Sequence, residues 1–288
     1  MPSGRKKIAM NNKAKDPKLL YLYCVTSDKP DVNKTAEGID NPFHINFNDL
    51  YAVVSYVSSD DFSNEHLEKK ILDLAWLEKK ALFHNKIINS IMNGNNISAL
   101  VPFKFATVFF DEESLNSFLN NYYDTLKTNL DFLRNKEEWG VKIYYDKSLL
   151  ENDILENDAK IKEIEIKINA SAPGKAFFMK KKKLELLENL LHEKAKKYGN
   201  ECYQNLKNIS IQTKINNLQA KELTGKENEM ILNVVFLVDK SNVLFFNDTV
   251  SDLKKRFESK GFEIDYTGPW PAYNFCNIEE KKEILTDE

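Results

Sequence analysis

Arginine is nearly missing from this 288-residue chain. Arg5, Arg134 and Arg256 are the only arginines among 41 basic residues, which leaves 38 lysines. Bidentate clamping of phosphates and carboxylates favours the planar guanidinium, so phosphoryl transfer and base reading have little to work with. Glycine is scarce too. Nine glycines supply no GxxxxGK[ST] loop, no GxGxxG and no GxSxG elbow, and therefore no glycine-rich phosphate cradle. The three cysteines, Cys24, Cys202 and Cys276, are far apart and odd in number. They offer neither a disulfide framework nor a CxxC knuckle, and they fit a reducing cytoplasm as small apolar residues. The densest apolar stretch, 230–238, is broken by Asn233 and is far too short to span a bilayer. The first fifteen residues are polar and basic, unlike a secretory signal. The expectation is a soluble cytoplasmic protein with no membrane partner.

Chemistry-bearing clusters are equally sparse. His44, His66, His84 and His192 form no HxH or HxxxH pair, so no metal-ligand spacing arises. His84 is the one histidine worth inspecting, because it falls on a core-bearing helix, and packing is the favoured reading there. The carboxylates lie mostly among lysines, as on solvated helix faces. A net charge of −3 argues against a nucleic-acid partner. No catalytic residue, cofactor or metal site is expected.

What the chain does have is strong patterning. A buried strand is expected at 19–25, and a hairpin at 43–47 and 50–57 turns across Asn48 and Asp49. A helix is expected over 66–92 on Leu67, Ile71, Leu74, Leu82, Ile88 and Ile91, with Gly94 as its stop. A strand at 100–110 follows, where Pro102 suggests an edge or a bulge. A helix over 112–135 and a strand at 141–145 complete the set. This order predicts an α+β sandwich close to a ferredoxin-like split βαβ unit with rearranged entry strands.

Residues 146–158 are polar and acidic, with Leu-Glu-Asn-Asp at 150–153 and again at 155–158, and predict a linker. Beyond it, 159–168 and 175–209 predict a helical hairpin joined across Ser171, Ala172, Pro173 and Gly174. Its long arm carries Leu184, Leu187, Leu191, Ala195, Tyr198, Cys202, Leu206 and Ile209 in one apolar stripe. Strands at 209–215, 229–238 and 262–266 and a helix at 243–260 make a second α+β unit. The expected domains are a flexible basic arm (1–17), an N-terminal domain (18–147), a C-terminal domain (148–278) and a disordered tail (279–288).

Two segments draw attention as contact surfaces. The run Lys180, Lys181, Lys182 and Lys183 opens a helix, where lysine opposes the macrodipole. An acidic partner would account for it, and so would a solvated turn. In 266–275, Pro269 and Pro271 fix the backbone on both sides of Trp270. Trp270, Tyr273 and Phe275 are then displayed from a stiff segment, as anchors either for the protein's own core or for a partner.

Gly268-Pro-Trp-Pro-Ala-Tyr-Asn-Phe275 after a strand resembles the closing signature of the GvpF/GvpL gas vesicle protein family. Further segments follow in the family's order: Leu22-Tyr23, the strand 50–54, the His84 helix and Val101-Pro-Phe-Lys-Phe-Ala-Thr-Val-Phe109. So do Glu138-Trp-Gly-Val-Lys142, Ser171-Ala-Pro-Gly-Lys-Ala176 and Glu222-Leu223 ahead of the 232–238 strand. The resemblance spans about 19–276. It implies a two-domain α+β protein, the first domain ferredoxin-like and the second a modified version with a helical hairpin. It also implies a non-enzymatic accessory role in gas vesicle formation. The partners it implies are the shell protein GvpA and other Gvp proteins. On this chain's own residues the contact expected first is at Gly174, Lys175 and the adjoining Lys180–Lys183 helix. The Trp270, Tyr273 and Phe275 segment comes second. An enzyme on the same scaffold and a nucleic-acid-binding module remain the rival readings. Convergent titratable groups would favour the first, and salt-dependent binding the second.

Overall fold

A computed structural model describes residues 18–32, 41–94, 97–276 and 278. The arm and the tail expected at the two ends lie outside the described residues. The chain forms two compact α+β units, dividing between Leu130 and Asp131.

In the first unit, β1 (Lys18–Thr26) is buried at every position after Lys18, as an apolar run covered on both faces must be. β2 (Phe43–Phe47) and β3 (Leu50–Ser58) form the expected hairpin, with Phe47 opposite Leu50. Asn48 takes the left-handed conformation at φ 53°, which its short polar side chain tolerates. β3 pairs with β1, placing Leu19 opposite Val57 and Leu22 opposite Val54.

Helices α1 (Ser59–Phe62), α2 (Asn64–Lys70) and α3 (Leu74–Met92) replace the single helix expected over 66–92. The cause is Asp73, whose carboxylate accepts from the amides of Ala75 and Trp76 and starts α3 afresh. The buried face is consequently His84, Ile87, Ile88 and Ile91, while Ile71, Leu74 and Leu82 are exposed. The strand expected at 100–110 is two short pieces, β4 (Leu100–Pro102) and β5 (Val108–Phe109), both on β1. Pro102 and the left-handed Ala106 (φ 64°) frame the interruption. The sheet order is β2-β3-β1-β4, with β5 also on β1. Helices α4 (Glu112–Asn121) and α5 (Tyr123–Leu133), broken at Tyr122, follow, and Phe118 of α4 meets Phe103 and Phe109.

The second unit begins with β6 (Lys136–Tyr145), the strand expected to close the first domain. It lies in the second sheet instead, paired with β8 and β9, so the expected boundary at 147/148 gives way to the division after Leu130. The expected linker at 146–158 is a helix, α6 (Lys147–Asn157). Asp146 caps it, and Leu150 and Ile154, one turn apart, are fully buried. Then come α7 (Ala159–Asn169) and α8 (Pro173–Lys207), the latter 35 residues and so about 52 Å long. β7 (Gln212–Ile215), α9 (Lys221–Thr224), β8 (Glu229–Asp239), α10 (Val243–Glu258) and β9 (Phe262–Trp270) complete the unit. The antiparallel sheet runs β7-β8-β6-β9. One core joins Val141 and Ile143 of β6, Phe236 of β8, Leu191, Ala195 and Cys202 of α8, and Phe246 and Phe257 of α10. No helix among the described residues is long and apolar enough to cross a membrane.

Candidate partner-binding surfaces

The hairpin of α7 and α8 is built on alternation of apolar and charged positions. Ile161, Ile164 and Ile168 of α7 are buried, spaced three and four apart as one helix face requires. The turn is short. Ser171 Oγ donates to the Lys167 carbonyl at 2.7 Å and closes α7. Pro173 then opens α8 at the position where a missing N–H costs nothing. Gly174 is exposed, and a Cβ there would meet nothing within 4 Å, so neither a tight turn nor a close approach requires it.

The lysine run therefore does not open a helix. It begins seven residues in, beyond the first turn where the macrodipole acts. Lys175, Lys180, Lys181 and Lys182 are exposed. Lys183 pairs with Glu165 across the hairpin, and Lys167 with Glu163 along α7. Phe177 and Phe178 stand exposed between the turn and the lysines, their rings edge to face at 5.9 Å. Neither belongs to the apolar stripe expected from the sequence on this helix, which begins at Leu184. An open groove of about 480 Å³ lies against the hairpin, lined by Glu165, Ile168, Asn169, Lys180, Lys183 and Leu184.

The second segment is divided. β9 runs on through the proline-rich signature rather than ending at 266, with a cis Gly268–Pro269 peptide. Gly268 is at φ 138°, and a Cβ there would stand 2.8 Å from Cε3 of Trp139, so only glycine fits. The Trp270 indole donates to Thr267 Oγ1 at 3.0 Å and is 45% exposed, and Tyr273 is also exposed. Phe275 is buried and belongs to the protein's own packing, not to a surface presented to a partner. What fixes this segment is Glu138, a β6 carboxylate only 3% exposed. It accepts from the Asn274 amide N–H at 3.1 Å and from Asn274 Nδ2 at 2.6 Å. Burial raises the Glu138 carboxyl above its usual range, and the two Asn274 bonds pull against that shift.

His84 sits elsewhere, in the first unit. Tyr21 Oη accepts from the Ala106 amide at 2.8 Å and shares a hydrogen bond with His84 Nδ1 at 2.9 Å. Tyr23, Phe62 and Phe105 enclose this pair. Burial lowers the imidazole to a pKa of about 4, against a smaller opposing effect of a bond to the Phe103 backbone. The space beside it is about 10 Å³, no more than one water needs. His84 thus pins the interrupted strand and is closed to substrate-sized molecules.

By its folds the chain is a tandem α+β protein, with exposed Phe177 and Phe178 beside lysines at the hairpin end and exposed Trp270 and Tyr273 at the end of an edge strand. The family model for gas vesicle synthesis protein GvpL/GvpF matches residues 19–277. The chain belongs to that family, whose role is in gas vesicle assembly. It is 25% identical over 274 residues to gas vesicle protein L of Streptomyces sp. (strain CB03234), covering 94% of this chain and 97% of that protein. It is 22% identical to gas vesicle protein L1 of Halobacterium salinarum, covering 89% of each. Among solved structures, GvpF from Anabaena sp. PCC7120 superposes with a TM-score of 0.69 at 18% identity, covering 91% of this chain and all of that one. GvpF from Microcystis aeruginosa gives 0.62 at 17% identity, covering 90% and 99%. These likenesses carry the fold.

Proposed function

We propose that this protein is a non-enzymatic accessory factor that binds the shell protein GvpA and other Gvp proteins in the cytoplasm while a gas vesicle is nucleated and built. The observation that carries this reading is the family match along 19–277, nearly the whole described chain. The surfaces support it. Lys175 and Lys180–Lys182 beside exposed Phe177 and Phe178 form one contact face, and Trp270 with Tyr273 forms another. Shell subunits that must assemble through apolar faces and strand edges need partners that cover them beforehand. In the same reading, the two α+β units are a ferredoxin-like domain and a modified version of it that carries the hairpin.

The test is co-expression of the full chain with the shell protein, followed by affinity purification and quantification of bound shell protein. Retention is expected, and charge reversal at Lys180, Lys181 and Lys182 or Trp270→Ala should reduce it. Absence of shell protein and of every other Gvp protein from the purified chain would overturn the reading.

A further inference from the structure

The apolar stripe of α8 does not stop where the core stops. At about 100° per residue, Phe177, Leu184 and Leu191 fall on one line along the helix, and Ala195, Cys202 and Leu206 continue it. Beyond Leu187 the stripe is buried in the second unit's core at Leu191, Ala195, Cys202 and Leu206, while Glu188 beside it is exposed. Before it, Phe177 and Leu184 are 70% and 65% exposed. The stripe therefore overhangs the core by the stretch from Pro173 to Leu187, about 21 Å. The same helical geometry puts Lys180 on one side of the overhanging line and Lys181 on the other. Between 166 and 184 every charged residue is a lysine, and the first carboxylates, Glu185 and Glu188, come at the core end of the overhang. The one carboxylate lining the adjoining groove, Glu165, is already paired with Lys183.

We propose that this overhang docks an amphipathic helix of a partner protein, about four turns long, whose apolar stripe is rimmed by carboxylates. The occupant follows from complementarity. An apolar seam with a lysine on each side is matched by an apolar seam with an acid on each side, as in the flanking charges of helix pairs. The length follows from the overhang. Such a helix lies along the groove beside α7 and extends the hairpin to a three-helix contact. This inference rests on the adaptor reading above, and it names the chemistry that the hairpin face selects.

The experiment uses the purified full chain and a fluorescent synthetic helical peptide of about 16 residues, with leucines on one stripe and glutamates beside it. A second peptide carries lysines in place of the glutamates. Anisotropy titration should show the acidic peptide bound at least tenfold more tightly than the basic one, and more weakly as salt rises. Phe177→Ser with Leu184→Ser should weaken the acidic peptide about tenfold or more. Lys180→Glu with Lys181→Glu should reverse the preference. All four positions are on the surface or half-exposed, so unchanged thermal melting checks that the variants fold. Equal binding of the two peptides, or binding indifferent to both variant pairs, overturns the proposal. So does tighter binding to mixed phosphatidylcholine and phosphatidylglycerol vesicles, lost in the same variants, because that outcome makes the overhang a lipid contact. Shell-protein retention is measured separately. Retention that survives both variant pairs, with peptide discrimination absent, removes this inference and leaves the adaptor reading standing.

Discussion

Replacing Asn274 by alanine should destabilise this protein more at neutral pH than in mild acid. The substitution removes the 2.6 Å bond from Nδ2 to Glu138 and leaves one backbone N–H on a carboxylate only 3% exposed. A hydrogen bond to a charged group contributes about 1.5–3 kcal/mol, and one to a neutral group about 1. Burial already holds the Glu138 carboxyl above its ordinary value of 4.5, and Asn274 opposes that shift. Without the side chain the folded-state value rises further. Below the unfolded value the carboxyl is protonated in both states and the loss is that of a neutral bond. As pH rises through the folded value, the buried group must ionise with one partner fewer, and the deficit grows to its full size. Asn274→Ala should therefore lower stability by about 2 kcal/mol at pH 7, a melting shift of roughly 4–8 °C. At about pH 4 the loss should be about half that. Glu138→Gln gives the counter-case. Its amide oxygen accepts the Asn274 backbone N–H, and a turned Asn274 amide accepts from its NH2, so no buried charge remains. That variant should stay within about 1 kcal/mol of the parent at pH 7, with its share of the pH dependence gone. Denaturant unfolding of parent and variants across pH 4–8 decides the matter. A deficit for Asn274→Ala that is equal at both ends, or a Glu138→Gln loss as large as that of Asn274→Ala, refutes the reasoning.

Two glycines should respond in opposite ways. Gly268→Ala drives a Cβ to 2.8 Å from Trp139 at φ 138° and should cost about 2–4 kcal/mol by thermal melting. Gly174→Ala, in open space within a helix, should be neutral or stabilise by up to about 1 kcal/mol. His84, whose folded pKa near 4 lies below its ordinary 6.5, binds its proton later in the folded state than in the unfolded one. Stability linked to it is present above pH 6.5 and is lost as pH falls toward 4, by up to about 3 kcal/mol. His84→Gln should flatten that acid limb in pH-dependent unfolding, and an unchanged limb would show that His84 does not titrate there.

The legible parts of the sequence were those where one element's own pattern was enough. The apolar run of β1, the hairpin at Asn48 and the stripe of α8 lie close to where periodicity placed them. The placement of β6 was not legible, because alternation tells which faces a strand presents and not which sheet receives it. The acidic composition of α6 concealed two core residues, Leu150 and Ile154, at helical spacing. Asp73 outweighed an apolar pattern that ran straight through it, since a local cap restarts a helix regardless of the residues around it. At the contact surfaces the lysines were visible and the phenylalanines were not. Phe177 and Leu184 stay within about 40° of Leu191 around the helix, and periodicity cannot tell a covered stripe from a bare one. Glu138 and Asn274 each fell in a segment of the family resemblance, but nothing in the sequence joined them across 136 residues.

The distance between Glu138 and Asn274 has a consequence for synthesis. β6 is the central strand of its sheet, yet its neighbour β9 is made only after α6 through α10 have left the ribosome. The first sheet closes among residues 18–109, so its unit can fold while the chain is still growing. The second cannot close until almost the last described residue has emerged. Throughout that interval the apolar faces of β6 and α8 await their partners, and a protein in the family of gas vesicle assembly factors is itself exposed to the aggregation hazard it is proposed to relieve in others.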